Sequence, residues 1–421
     1  MSPDQVSGPR ECADLACTRR RLLTGAAALA GLGALGVAGP RLAFASGRPR
    51  GDLLVVVSLR GGADGLSLVP PLAEPDYLKA RPGIAVQPGQ ALRLDRSFGL
   101  HPGLKPLLPF WTDRSLAVVH AVGDADGTRS HFEATDAMER GVNLTSSAGT
   151  GWVDRHLVSR GLQVGDFPAL AVGSRPPGSL QGPAPALSLF NVKDLRVRVD
   201  DRQLVPTEKA LRQMYAGVAG PHADAARGTL EALRLLAPVR DHPSTPRAGV
   251  SYPRDGLGFG LSQIAQVARA GVGLEVATVD AGGWDTHEGM GAASGGYLAD
   301  LVGRLGKALA AFATDLGPLL ATTTIVTMSE FGRRVAQNGS GGVDHGHGSA
   351  MLVLGGGING GRVYGRWPGL GAKQLEDGDL RVTTDYRDVL GELVQRRLGG
   401  GPLDSVFPDH RPRVLGLARQ R

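Results

Sequence analysis

Leu53 to Leu59 (LLVVVSL) runs apolar without the alternation of a half-solvated strand, and it ends abruptly in RGGADG. A run of that kind must be covered on both faces, which places it inside a sheet with helices above and below. The same arrangement recurs along the chain. Leu116–Val119 leads into AVGDADGTRSHFEATD, Leu274–Val279 exits into DAGGWDTH, and Thr323–Met328 exits into Ser329 and Glu330. A further run, Ala350–Leu354, opens just after DHGHG. Between the runs the spacing is helical: Leu261, Ile264, Ala265 and Ala268 share one face, and Leu301, Leu305, Ala308, Phe312 and Leu316 share another within a helix expected over 297–320. A helix is expected to start near Ser130, another is capped by Asp385, and a short one covers Leu104 to Trp111. Strands alternating with helices predict an α/β fold with a doubly wound, mostly parallel sheet.

Polar residues gather where these runs end, and ligands of open parallel sheets bind at that carboxyl edge. Asp64 follows the first run, Ser130 the second, and Asp285 and His287 the next. Glu330, Asp344, His345 and His347 lie between the last two. Carboxylates and imidazoles suit zinc, manganese and similar ions. Each residue also has a plain structural use. Asp64 suits an Asp-Gly turn, Ser130 an N-cap with Glu133 completing a capping box, and DHGH a loop that satisfies its own backbone. A serine needs a metal or base to become nucleophilic. Arg60, Arg129 or Arg333 could grip the oxygens of a phosphate or sulfate. The proline-punctuated stretch 70–90 reads as a surface excursion. The stretch 174–257, with helical patches at 208–216 and 225–236, reads as a cap or insertion.

The first 45 residues read as a twin-arginine signal rather than as fold: Arg19, Arg20 and Arg21, an apolar run from Gly25 to Gly39, and Ala43-Phe44-Ala45 as a cleavage site. That run falls short of the ~20 apolar residues of a membrane anchor. The expectation is a mature domain over 46–421, exported by the twin-arginine translocation machinery to the periplasm or beyond, without a stable membrane anchor. Both cysteines, Cys12 and Cys17, lie in the leader, so any metal of the mature chain is held by oxygen and imidazole. Without the leader, 41 basic residues stand against 37 acidic ones, and the arginines are spread without aromatic interleaving. No nucleic-acid partner is expected.

The succession RGGADGL, RSHFEATD, GGWDTHE, SEFGR and DHGHG behind such a leader resembles the exported bacterial family known as domain of unknown function 1501. That family in turn resembles the alkaline phosphatase and sulfatase superfamily. The resemblance implies a three-layer αβα sandwich and, in active members, divalent metals (zinc, manganese, calcium or magnesium) beside a hydroxyl nucleophile. It assigns Asp64 to one metal, and Asp285 and His287 to the other. It makes Ser130 the nucleophile, with Thr128 as the competing hydroxyl and Arg129 beside them, and His345 the final histidine in preference to His347. Two departures accompany it. Phe331 stands where the superfamily has a histidine, leaving Glu330 with Asp344 or His347 to compensate, and the spacing of Asp285 and His287 is short. The expected function is metal-dependent hydrolysis of a phosphate or sulfate ester, of small molecule or polymer. The alternative is a non-catalytic exported protein that binds an envelope polymer or a protein partner.

Overall fold

The structure, a computed structural model, describes residues 51–161, 168–241 and 245–421. The leader expected over 1–45 lies outside the described residues. Nine strands form one sheet: β1 (Leu53–Leu59), β2 (Leu116–Gly123), β3 (Ala169–Val172), β4 (Ala186–Leu189), β5 (Val276–Ala281), β6 (Thr323–Met328), β7 (Ser349–Gly355), β8 (Val363–Tyr364) and β9 (Thr384–Asp385). Their order is β8-β2-β7-β6-β1-β5-β3-β4, with β9 also pairing with β2. β1 lies centrally, parallel to β5 and β6. Among the described residues of this sheet the pairings of β7, with β2 and with β6, are antiparallel and the others parallel.

β1 shows why its sequence needs two covers. Leu53, Val55, Val57 and Leu59 enter one core, whereas Leu54 and Val56 enter another, because successive side chains of a strand point to opposite faces. The first core is closed by α5 (Gly256–Arg269) and α6 (Tyr297–Leu316), through residues such as Leu261, Ile264, Leu305 and Phe312. The second is closed by α2 (Trp152–Ser159) and α7 (Tyr386–Arg396), through Trp152, Leu157, Val389 and Leu393. This is the three-layer αβα sandwich. α1 (His131–Arg140) begins one residue after Ser130, and Asp385 caps α7 by accepting from Arg387 N.

Within 174–257, Ala186–Leu189 joins the sheet as its edge strand. α3 (Asp201–Tyr215) packs on α4 (Pro221–Asp241), whose Ala232, Leu236 and Val239 enter the first core. That stretch is therefore built into the sandwich. The stretch 70–90 also departs from expectation: Tyr77 and Arg81 are fully buried, because Arg81 meets a charge inside the molecule. No helix among the described residues is long and apolar enough to cross a membrane.

Burial leaves three histidines neutral. It pushes His120 and His101 down to about 4 and His156 to about 3. His120 fits this state, with Nε2 donating to Val69 O at 2.8 Å and Nδ1 accepting from Ala121 N at 2.9 Å. In the unfolded chain these rings take a proton below about 6.5, while in the folded chain they resist until about 4 or lower. The unfolded state therefore binds more protons in that window, so this stabilisation is complete above it and lost as pH falls through it. Denaturant titrations at a series of pH values should show the loss. His120→Gln should flatten it by up to about 1.4 kcal/mol per pH unit, and an unchanged slope would contradict the assignment.

Candidate metal centre

Because β7 runs against its neighbours, the residues before it reach the same edge as the residues after β1, β5 and β6. Three loops therefore meet the start of α1 there. Tight approaches demand glycine at two places. A Cβ on Gly61 (φ 113°) would come within 2.6 Å of Asp285 N, and one on Gly62 (φ 67°) within 2.6 Å of the Phe331 ring. The loop before β7 folds back on the one after β6, with Gly332 N donating to His347 O at 2.7 Å and Gly346 N to Gly332 O at 2.9 Å.

Arg333 fastens these loops. Its wholly buried guanidinium donates to Gly62 O (2.7 Å), Val343 O (3.0 Å) and Asp285 Oδ1 (2.5 Å), and also to Gly61 O. Burial pushes the Asp285 carboxyl up, but the hydrogen bond and charge of Arg333 outweigh it and hold the group below its usual range.

His131 Nε2, His345 Nε2 and Asp285 Oδ1 converge at the centre, with separations of 3.0, 3.6 and 3.5 Å. His287 Nε2 adds a second face on the Asp285–His345 edge, 2.9 Å from His345 Nε2 and 3.1 Å from Asp285 Oδ1. Ligands at ~2.0–2.1 Å from a tetrahedral ion lie about 3.3 Å apart, so both faces have the dimensions of a metal site.

The outer nitrogens are all committed. His131 Nδ1 lies 2.8 Å from Glu330 Oε1, His287 Nδ1 2.9 Å from Asp344 Oδ1, and His345 Nδ1 2.8 Å from the carbonyl of Arg129. Ionised carboxylates and a carbonyl can only accept, so this network assigns the ring protons to Nδ1. In the neutral rings the Nε2 lone pairs then point at one another, and a positive charge between them removes the repulsion. Burial, with the positive charge of Arg333, holds His345 below its usual range against the bond to Arg129 O. A metal cation between the Nε2 atoms would supply such a charge. Such outer carboxylate and carbonyl partners are what orient metal-binding histidines. The Phe331 ring packs on His131 and His345, with centroids 4.7 and 5.0 Å away, as an apolar floor.

The expected site residues thus take different places. Asp285, His287 and His345 face the centre. Glu330 and Asp344 stand behind it and orient His131 and His287, and Glu330 also accepts from Gly61 N at 2.8 Å. Asp64 is not among them: both its oxygens are bound by Arg81, at 2.5 and 2.9 Å. His347 lies on the far side of its loop, its Nε2 2.9 Å from Asp124 O and its Nδ1 3.7 Å from Glu376. Arg129 is paired with Asp379 and reaches the centre only through its carbonyl. Ser130 occupies the N-cap position without a capping hydrogen bond, and Glu133 accepts from Thr128 Oγ1 at 3.1 Å instead of closing a capping box. His131 is absent from the expected ligands. Its sequence signal is position: the first residue of a helix beginning at the carboxyl edge.

Beside the centre opens a cleft of about 510 Å³, lined by Arg60, His131, Phe132, Thr135, Asp285 and Glu330 among others. Phe132 stands 90% exposed. Arg60 is held by Glu139 and by Asp280.

A family model described as "Protein of unknown function (DUF1501)" matches residues 126–387. The chain belongs to this family. The matched segment of the DUF1501 domain includes His131, Asp285, His287 and His345, while β1 and Asp64 precede it. No curated protein matches the chain. Among solved structures it is similar to the PsFucS1 sulfatase from Pseudoalteromonas sp., at 12% identity over 96% of this chain and 77% of that one, with a TM-score of 0.36. It is also similar to a phosphonate monoester hydrolase of Agrobacterium radiobacter, at 11% identity, 86% and 78% coverage and TM-score 0.34. The alkaline phosphatase from the Antarctic bacterium TAB5 matches at 10% identity, 73% and 92% coverage and TM-score 0.27.

Removing Arg333 should cost stability as well as geometry. Arg333→Met strands several buried carbonyls, at about 1–3 kcal/mol each, so urea unfolding should show a loss of more than ~3 kcal/mol. Arg333→Lys should recover only part of it, since an ammonium cannot span the same acceptors. A Met variant as stable as the parent would show that the loops do not depend on this residue.

Proposed function

We propose that this DUF1501 protein is an exported metal-dependent hydrolase of phosphate or sulfate esters. The observation that carries the reading is the convergence of the Nε2 atoms of His131 and His345, flanked by that of His287, on Asp285 Oδ1, with every outer nitrogen tied to an acceptor. A divalent cation bound there would polarise an ester oxygen and stabilise the negative charge that develops on it.

The protein's own groups divide the remaining work. Asp285 and the imidazoles hold the site, and Glu330, Asp344 and the Arg129 carbonyl fix their orientation. The Phe331 ring limits water on one side. Of the three arginines that suit an anionic ester, Arg333 is buried and Arg129 is paired with Asp379 away from the cleft lining, whereas Arg60, although paired with Glu139 and Asp280, lines the cleft. Arg60 is therefore the residue assigned to the nonbridging oxygens. Ser130, one residue before His131, is the proposed nucleophile, with Thr128 as the alternative hydroxyl. The leader supports export through the twin-arginine route, with the folded chain carried outward.

Protein purified after native export should contain metal, and a chelator should abolish hydrolysis of at least one substrate in a panel of phosphomonoesters, phosphodiesters and sulfate esters. Ser130→Ala should lower that kcat by ~100-fold or more while leaving metal content unchanged, since nucleophile and ligands are separate groups. Background metal together with a silent panel would refute the proposal. Metal bound with a silent panel would instead favour a binding protein, for which the exposed Phe132 at the cleft offers a contact. Glu330→Ala should weaken metal affinity by roughly 10- to 100-fold through loss of the bond that orients His131, and competition with a chromogenic chelator measures it.

A further inference from the structure

We infer that the centre takes a single ion of the zinc kind, and that the buried guanidinium of Arg81 keeps Asp64 from serving as a ligand to a second cation. The inference rests on the metal-centre reading above and adds the number and the class of ion.

The donor set decides the class. Two imidazole nitrogens and one carboxylate oxygen on either face, His345 and Asp285 with His131 or with His287, favour zinc and neighbouring transition ions, whereas magnesium and calcium prefer oxygen shells. His345 Nε2 belongs to both faces and, with its proton on Nδ1, has a single lone pair, so one face is filled at a time.

The number follows from Asp64 and Arg81. Both side chains are buried, at 1% and 0% exposure. Arg81 Nη1 donates to Asp64 Oδ2 (2.5 Å) and Ser67 Oγ (3.1 Å), Nη2 to Asp64 Oδ1 (2.9 Å) and Arg334 O (2.8 Å), and Nε to Val335 O (2.8 Å). These bonds use all five N–H groups of the guanidinium. The carboxylate is thus neutralised by a cation that cannot leave without stranding a buried charge. A metal ion at Asp64 would have to sit against that cation. The other groups a second ion would call on are also spent. Glu330 Oε1 accepts from Gly61 N and faces His131 Nδ1, Ser329 Oγ lies 3.2 Å from Glu330 Oε2, and Phe331 offers no donor.

The test titrates the full chain, stripped by a chelator and dialysed, with Zn²⁺ by calorimetry and with Co²⁺ by visible absorption. One equivalent per chain is expected, with the intense visible bands of low-coordinate cobalt. His131→Ala should lose that equivalent. Asp64→Asn should keep it while melting at a lower temperature. If Asp64→Asn does not fold, the paired replacement Asp64→Leu with Arg81→Met removes both charges and should likewise bind one equivalent. Two equivalents in the parent, or loss of the ion from a folded Asp64 variant, would overturn the single-ion assignment and leave the metal-centre reading standing. Tighter uptake of Mg²⁺ or Ca²⁺ than of Zn²⁺ would overturn the ion class. No uptake of any ion would overturn both.

Discussion

The whole site depends on the buried guanidinium of Arg333. It joins the loop after β1, through Gly61 and Gly62, to the loop after β5, through Asp285, and to the segment before β7, through Val343. The first of these pieces precedes the other two by more than two hundred residues in sequence, and the sheet alone brings only their ends together. A planar group with five donors can fix several acceptors at once, which neither a lysine nor an apolar side chain can do. The orientation of Asp285 toward the imidazoles follows from that anchoring.

Two arginines inside the same edge do opposite things for its charge. Arg333 shares Asp285 with the centre, donating to the same Oδ1 that lies 3.1 to 3.6 Å from the imidazole nitrogens. Arg81 takes the whole of Asp64 and turns it inward. Two aspartates that look alike from their places after strands are thus separated by the partner each receives. A binding site is defined as much by which carboxylates are neutralised internally as by which are left open.

Much of the frame could be read from the sequence because its signal is local. β6 spans Thr323–Met328 as expected, since a short β-branched run bounded by polar residues has few other uses. The edge at which Asp285, His287 and His345 meet was also legible, because strand direction dictates it. Partner choice was not. Arg81 lies in a proline-punctuated stretch that reads as surface, and nothing local shows that it folds inward onto Asp64. His131 was overshadowed by the neighbouring Ser130. Its ring reaches the centre only because α1 starts where Glu330 and Gly61 already wait, a long-range arrangement. Glu330 reads as a ligand from its chemistry and position, and only its contacts show it working behind an imidazole.

The most direct test is a crystal structure of natively purified protein with anomalous data collected on either side of the metal absorption edge. The account predicts one anomalous peak, among His131 Nε2, Asp285 Oδ1, His345 Nε2 and His287 Nε2, with Arg81 still closed on Asp64. Well-ordered imidazoles with no peak between them, or a peak at Asp64 with Arg81 displaced, would contradict it.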